Sequence, residues 1–127
     1  MGIGDVLTRD RVTRITEVLF EDGDVVGLHL ATASGERFVL TDWTDWTLRV
    51  DRRADDRLPD YFWPPEDHSE RVLFENGDGA EVTSVREDLD EAGDLIGLRF
   101  ALDGFGPVAV RADADGFSWH REDPPPA

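Results

Sequence analysis

Two glutamates, Glu17 and Glu87, are the residues whose type and spacing come nearest to a catalytic pair. Each falls in a predicted β-strand, and simple alternation places it on the same face as the apolar side chains two positions away. Two carboxylates held close together share a proton readily, which is the arrangement that acid–base catalysts use. A β-bulge that turns both glutamates outward, or ion pairs with Arg14 and Arg86, accounts for them equally well. An enzyme that uses this pair is therefore the third of the functions considered.

Residues 88–93 resemble the start of a calcium-binding EF-hand loop, with carboxylates at the first and third positions and glycine at the sixth. The match fails further on, because Ala92 occupies a ligand position and Arg99 stands where a bidentate glutamate is required. The flanking segments are predicted to be strands rather than helices. We therefore interpret this stretch as a turn and expect no metal site.

The side chains that common catalytic and cofactor sites require are scarce or scattered. His29, His68 and His120 are far apart and lack the spacing of a helical zinc site, so we interpret them as surface or rim residues. The chain has no cysteine and no lysine, which excludes a cysteine nucleophile, a thiolate metal site and a lysine-containing phosphate loop. No serine lies in a Gly-x-Ser-x-Gly elbow. We expect no enzymatic activity and no cofactor.

Aromatic side chains outside the predicted strands are the stronger functional signal. Trp43 and Trp46 fall in a turn region, and Tyr61, Phe62 and Trp63 are consecutive in a segment that continues into two prolines. Such residues often anchor a protein interface or line a ligand cleft, although they can equally cap the open end of a β-fold. The acidic residues close to them in the sequence are Asp42, Asp45, Asp60, Glu66 and Asp67. We predict that the aromatic and acidic residues together bind a basic protein surface.

The strands that must position these residues are predicted from a sequence segment that occurs twice in the chain. Residues 23–31 read Gly-Asp-Val-Val-Gly-Leu-His-Leu-Ala, and residues 93–101 read Gly-Asp-Leu-Ile-Gly-Leu-Arg-Phe-Ala. None of the residues that the two copies share forms a recognised catalytic or metal-binding set. The repeated segment therefore indicates a structural repeat rather than a catalytic or metal-binding site.

The predicted organisation is a single domain, 1–127, built of two internal repeats. The repeats span about 12–52 and 82–121, and an aromatic and proline-rich connector, 53–81, joins them. The off-strand aromatic residues have no counterpart in the second repeat, whereas Trp119 follows strand alternation and is assigned to the core. A localised function is therefore expected where the two repeats differ.

Each repeat is predicted to form a four-stranded antiparallel meander with one apolar face. In the second predicted strand, for example, Val26, Leu28 and Leu30 alternate with residues of the other face. Within the connector we predict a short edge strand at 71–74 and a tight turn at 75–79. Two such meanders bury their apolar faces by packing together. The predicted fold class is all-β, with the two tandem repeats packed as a pseudo-two-fold β-sandwich or a flattened barrel.

The composition limits the partners that the chain can bind. The formal net charge is -16 and the pI is near 4.3, so phosphate backbones and anionic membrane surfaces would repel the chain. The start of the sequence shows no basic segment followed by an apolar run, and no stretch approaches the length of a membrane span. We expect a cytoplasmic protein that binds neither nucleic acid nor membrane.

The function predicted from the sequence is that of an acidic protein-binding domain with a basic protein partner. An immunity-type inhibitor of a basic toxin or nuclease is one concrete form, because small acidic inhibitors gain association rate from their charge. The alternative is a small-molecule-binding β-sandwich or barrel. The shape around the aromatic residues distinguishes the two, since a flat exposed patch favours a protein partner and a concave pocket favours a small ligand.

Overall fold

The computed structural model describes residues 7–43, 45–55 and 57–121, so both ends of the predicted domain, 1–6 and 122–127, lie outside the described residues. β-Strands are the dominant regular structure of the described chain, which confirms the predicted all-β class. None of the described helical residues form a segment long and apolar enough to cross a membrane. A single 3-10 turn, η1 (Pro65–Asp67), lies before the fifth strand. The strands are β1 (Arg11–Phe20), β2 (Val25–Thr32), β3 (Arg37–Asp42), β4 (Leu48–Arg53), β5 (His68–Leu89), β6 (Leu95–Leu102), β7 (Gly106–Asp113) and β8 (Gly116–Arg121).

The eight strands form one antiparallel sheet in the order β4-β3-β2-β1-β5-β6-β7-β8. Strands β1 to β4 are successive hairpin neighbours, and so are the last part of β5 and strands β6 to β8, as the predicted meanders require. In the described residues β4 and β8 do not pair with each other. The sheet therefore stays open, and the predicted alternative of a barrel is wrong.

Strand β5 connects the two halves of the sheet and is much longer than predicted. It runs for 22 residues, of which 68–81 pair with β1 and 82–89 pair with β6. Each of these parts pairs on one side only within the described chain, so 71–74 is an edge strand of the first half, as predicted. The second part of the predicted connector, 68–81, thus belongs to a strand of the sheet.

The predicted tight turn at 75–79 is a wide bulge in β5. Several residues of this stretch loop out opposite Thr13 of β1, and pairing resumes beyond them. The backbone N–H of Asp78 donates to the Asn76 side chain at 3.1 Å, and Gly79 has a φ of 82°. The local turn chemistry is therefore the one that the sequence indicates. The chain nevertheless continues in the same strand, because β1 offers pairing partners on both sides of the bulge.

A second kind of bulge occurs at equivalent places in the two halves. Thr13 of β1 is skipped in the pairing with β2, and Thr83 of β5 is skipped in the pairing with β6. The Thr13 hydroxyl donates to the carbonyl oxygen of Ala31 at 3.2 Å, and the Thr83 hydroxyl donates to that of Ala101 at 3.4 Å. The β1–β2 pair and the β5–β6 pair therefore have the same register, each with a bulge at the equivalent threonine.

Two equivalent glycines lie where neighbouring strands approach closely. A Cβ atom on Gly27 would lie 2.8 Å from the carbonyl oxygen of Leu40, and one on Gly97 would lie 2.9 Å from that of Val110. Both distances are too short for a side chain, so glycine is required at both positions.

The main hydrophobic core contains side chains from both halves of the sheet. Across this core β2 contacts β8, β3 contacts β7 and β4 contacts β6. The fully buried members with the largest side chains are Phe38, Phe100, Leu7, Ile15, Leu28, Leu30, Leu40 and Leu98. Trp119 is half-buried and packs against this core, which agrees with its assignment from the sequence.

A smaller cluster covers the opposite face of the first half. Phe62 of the connector packs there with Val18 and Val39, and its ring lies over Gly27. Val26 joins this cluster rather than the face of Leu28 and Leu30, because the pairing of β1 with β2 skips Val26 and interrupts the predicted alternation.

The second half has no such cover in the described chain, and its sequence explains why. The residue equivalent to Val18 is Asp88, whose carboxylate lies beside Gly97 where Phe62 lies beside Gly27 in the first half. The connector therefore buries the outer face only where that face is apolar.

Candidate binding site

Four of the five predicted aromatic anchors line one cleft of about 460 Å³, which we call the aromatic cleft. Trp43 and Trp46 reach it from the turn between β3 and β4, and Tyr61 and Phe62 reach it from the connector. The turn between β7 and β8 closes the other side. Residues far apart in the sequence thus meet at one end of the fold.

Contacts between rings hold the aromatic cleft together. Trp43 and Tyr61 meet edge to face with ring centres 5.1 Å apart, and Tyr61 lies 5.0 Å from Phe62. The guanidinium of Arg49 lies over the Trp43 ring at 4.1 Å and donates to Asp51 at 3.2 Å. The Tyr61 hydroxyl also donates to Asp51. Burial, followed by this hydrogen bond, raises the pKa of Tyr61 above its usual range, so the phenol stays neutral.

Phe62 was predicted as a partner-contacting residue, but it is only 6% exposed, so little of its side chain is available to a partner. Its apolar ring fills the space above Gly27 and helps to form the floor of the cleft. Trp46 and Trp63, in contrast, are 62% and 74% exposed. Trp46 forms an edge of the aromatic cleft, whereas Trp63 is not among the residues that line it.

Trp46 has a φ of 64°, which is the left-handed region. A bulky side chain rarely adopts this conformation, and a strained residue of this kind is often found at a functional site. The backbone N–H of Trp46 donates to the carbonyl oxygen of Trp43 at 2.9 Å, which closes the turn. The turn therefore holds a large exposed indole where glycine would fit with less strain.

Only one of the five predicted acidic residues lines the cleft, and that residue is Asp42. Asp45 is exposed in the same turn and accepts a hydrogen bond from the Thr47 hydroxyl, which lowers the pKa of Asp45. The remaining three lie in the connector and do not line the cleft, and they are Asp60, Glu66 and Asp67. The five predicted acidic residues are thus spread over a surface wider than the aromatic cleft.

A second cleft of about 580 Å³ adjoins the first, and we call it the carboxylate cleft. Its acidic lining residues are Glu17, Asp24, Asp42 and Asp115, and its apolar lining residues are Val25, Val26, Phe117 and Trp119. Asp42, Val26 and Gly116 line both clefts, so the two are direct neighbours, and we call them together the acidic groove. No arginine lines either cleft in the described part of the chain.

Sequence reasoning missed most of the carboxylate cleft. Asp24 lies in the turn between β1 and β2, Asp115 lies in the turn between β7 and β8, and Phe117 lies on β8. The contacts of β2 and β3 with β8 bring these turns together. The two turn aspartates are visible as turn signals in the sequence, but their proximity depends on how the halves pack.

Glu17 is buried, and its two oxygens have different partners. Nε of Arg71 donates to Oε1 at 2.9 Å, and the indole N–H of Trp119 donates to Oε2 at 2.8 Å. Glu87 is exposed, because its part of β5 has a neighbouring strand on one side only. The predicted pair of half-buried carboxylates is therefore absent, and Glu17 bonds to Arg71 rather than to Arg14.

His29 is buried, so its prediction as a surface or rim residue is wrong. Its Nδ1 atom lies 2.8 Å from Oε1 of Glu70, which also accepts a hydrogen bond from the Thr16 hydroxyl at 2.8 Å. The hydrogen bond from His29 lowers the pKa of Glu70, although partial burial of this carboxylate opposes the shift. Nε2 of His29 has no hydrogen-bond partner among the described residues.

The other two histidines lie apart from His29. His68 lines the aromatic cleft and packs against Phe20 and Phe62, and its Nδ1–H donates to the carbonyl oxygen of Pro64 at 2.9 Å. His120 is exposed on β8. In the described ranges no three histidine or acidic side chains lie close enough together to hold a metal ion.

Comparison of the chain with protein-family models, with curated proteins and with solved structures found no match. The chemistry of the groove therefore has to be inferred from its own residues. Its walls combine aromatic rings, which attract cations through their faces, with carboxylates that carry negative charge.

Proposed function

We propose that the domain binds a basic protein through the acidic groove. The observation that carries this proposal is the composition of the groove, in which exposed Trp46 and half-buried Trp43 stand beside Asp42 and no arginine lines either cleft. Aromatic side chains that hold a fixed position are efficient interface anchors, because little side-chain entropy is lost when they bind. Arginine and lysine side chains of a partner fit both the rings and the carboxylates.

The net charge of the whole chain supports the same proposal. A charge of -16 on 127 residues produces a negative potential that attracts a basic protein and repels other acidic proteins. Such attraction raises the association rate and weakens as salt is added. Inhibition of a basic toxin or nuclease, as an immunity-type protein, is one concrete form of this activity.

A small-molecule ligand is the second candidate, and the concave shape of the groove favours it. The two clefts, of about 460 and 580 Å³, are large enough for such a ligand. Exposure of Trp46 and Trp63 favours the protein partner instead, because a small ligand in either cleft leaves Trp63 uncovered.

The fold proposed for this function is a pseudo-two-fold β-sandwich of two repeats. Support comes from the equivalent bulges at Thr13 and Thr83, from the equivalent glycines Gly27 and Gly97, and from contacts between the two halves across the main core. In this arrangement the groove lies at one end of the interface between the repeats. The binding surface then forms where the two repeats pack together.

Affinity capture from the native cell tests the proposed function. The wild-type chain and two variants serve as baits, one with Trp46→Ala and Asp42→Asn in the groove and one with Asp103→Asn as a matched charge control. Asp103 is exposed in the turn between β6 and β7 and lines neither cleft. We expect a basic protein that wild type and control retain, that the groove variant loses, and whose retention falls as salt rises. Equal capture by all three baits contradicts the proposal.

A further inference from the structure

We infer that the carboxylate cleft is a binding site for an organic cation, namely an ammonium or guanidinium group carried on a hydrocarbon chain. The side chain of a basic partner and a free polyamine both supply this chemistry. If the ligand is a side chain of a basic partner, the inference rests on the proposed function. If the ligand is a free polyamine, the inference is independent of it.

The charges of the cleft come from three separate elements. Asp24 belongs to the turn between β1 and β2, Asp42 to the end of β3, and Asp115 to the turn between β7 and β8. None of the three forms an ion pair with a described residue. A carboxylate oxygen of Asp42 lies 3.9 Å from the position that a Cβ on Gly116 would take, so Asp42 reaches across to the second half. Carboxylates that line one cleft without a neighbouring cation repel one another, and a bound cation reduces this repulsion.

Glu17 does not add free charge to the site. Its oxygens already accept hydrogen bonds from Arg71 and from the indole N–H of Trp119. The second of these bonds fixes the orientation of the Trp119 ring, which lines the cleft. The Trp119 indole is therefore a positioned part of the cleft wall.

The remaining walls suit the hydrocarbon part of a ligand. Phe117 and Trp119 supply aromatic surface, and Val25 and Val26 supply aliphatic surface. No arginine lies over either of these aromatic rings among the described residues, whereas Arg49 lies over Trp43 in the aromatic cleft. In the carboxylate cleft, therefore, no described arginine competes with a ligand cation for the two lining rings.

A metal ion does not fit the same carboxylates. In the described residues, 7–43, 45–55 and 57–121, no group of three acidic or histidine side chains is close enough to coordinate one. The negative charges are spread around apolar walls, and this spacing matches a ligand whose charges are separated by methylene groups. An organic cation satisfies both the charge and the apolar surface.

Nuclear magnetic resonance of the Trp119 indole N–H tests the site on the whole chain. The Trp119→Phe variant, which lacks this signal, assigns it. Spermidine, arginine amide and a short arginine-containing peptide are titrated separately at constant ionic strength, with magnesium chloride as an inorganic divalent control. We expect a saturable shift with the organic cations and none with magnesium. Saturation by spermidine alone identifies a free polyamine as the ligand, and saturation by the arginine compounds identifies a side chain; both support the site.

Variants separate the site from diffuse attraction to an acidic protein. The double variant Asp42→Asn with Asp115→Asn is expected to weaken binding by about tenfold, while Asp103→Asn leaves it unchanged. Equal shifts with magnesium and the amines, equal binding by all variants, or no shift with any cation overturns the inference. If the double variant loses its native spectrum, Asp24→Asn alone is used, and unchanged binding by that variant also overturns it.

The outcomes for the site and for the proposed function are distinguishable. Amine binding without capture of a basic protein supports the cation site and contradicts the protein partner. Capture of a basic protein that depends on Trp46 but not on Asp42 and Asp115, together with no saturable shift by any organic cation, supports the partner and contradicts the cation site.

Discussion

Neighbouring aromatic residues of the connector have different roles, although the sequence presents them as one group. Phe62 packs under the connector against Val18 and Val39, whereas Trp63, the next residue, is largely exposed. The difference arises from which residue faces Gly27, where the missing side chain leaves room for a ring. A sequence of three aromatic residues does not show which one faces the sheet.

Trp46 is the residue whose replacement most clearly separates binding from folding. Glycine adopts a φ of 64° without strain, so in Trp46→Gly the relief of strain offsets the larger entropy of the unfolded chain. We expect the free energy of unfolding to stay within about 1 kcal/mol of wild type and partner retention to fall. Urea unfolding and affinity capture measure the two effects. A stability loss of more than about 2 kcal/mol would assign Trp46 to the fold instead.

Glu17 and Glu87 form a matched pair for testing a buried carboxylate. Glu17→Ala leaves the indole N–H of Trp119 without its acceptor, and we expect the free energy of unfolding to fall by about 2 kcal/mol. The ion pair with Arg71 adds little, because the Arg71 side chain is 64% exposed. Glu87→Ala removes an exposed carboxylate and is expected to change stability by less than about 0.5 kcal/mol. Equal effects in urea unfolding would contradict the assignment of Glu17.

Glu70 links stability to pH. Its pKa is lowered in the folded state by the hydrogen bonds from His29 and Thr16, with the nearby charge of Arg14 acting in the same direction. The stabilisation is therefore present above the ordinary glutamate pKa of 4.5 and is lost as pH falls through the lower folded value. We expect Glu70→Gln to reduce stability at neutral pH, and the difference from wild type to shrink below pH 4.5. Exposed Glu91→Gln is the control, and a difference that persists unchanged in acid would contradict this account.

At the scale of the elements, most strands were predicted from the alternation of apolar residues and from turn-forming residues, because each hairpin depends on the sequence of its own strands and turn. The long strand β5 was not predicted as a whole, because Gly77 and Gly79 indicate a turn that the pairing with β1 converts into a bulge. The four aromatic residues of the aromatic cleft stand out in the sequence as side chains off the strands, but their meeting in one cleft depends on the fold. The carboxylate cleft was not predicted, because it forms where β2 and β3 contact β8.

Substitution of Gly27 and of Gly97 tests whether neighbouring strands approach equally closely in the two halves of the sheet. Alanine at Gly27 or Gly97 places a Cβ within 2.9 Å of a carbonyl oxygen, so both substitutions should destabilise, by about 1–3 kcal/mol. The two costs should be similar, because a Cβ on Gly27 would also lie 3.3 Å from the Phe62 ring and one on Gly97 would also lie 3.3 Å from Cβ of Asp88. Gly77→Ala is the control, since a Cβ there meets nothing within 4 Å. Thermal unfolding measures all three, and a neutral result at either strand glycine would contradict the close approach.

At the scale of the whole molecule, charge and shape act together. The strands supply a rigid frame, the connector covers the outer face of the first half, and the turns at one end supply the groove. In the proposed function, the acidic surface attracts a basic partner from a distance, and the groove determines where that partner binds. Function is thus expected at the end of the fold where Trp46, Asp42 and Asp115 meet.

The most direct test of the central claim is the affinity of the captured protein for the purified chain, measured by calorimetry at two salt concentrations. The account predicts that Trp46→Ala with Asp42→Asn weakens binding by at least about tenfold, that Asp103→Asn does not, and that added salt weakens binding by wild type. All three chains should show the same unfolding midpoint within about 2 °C. Equal affinity of the groove variant and wild type, or binding that salt does not weaken, would contradict the claim that the acidic groove is the binding site.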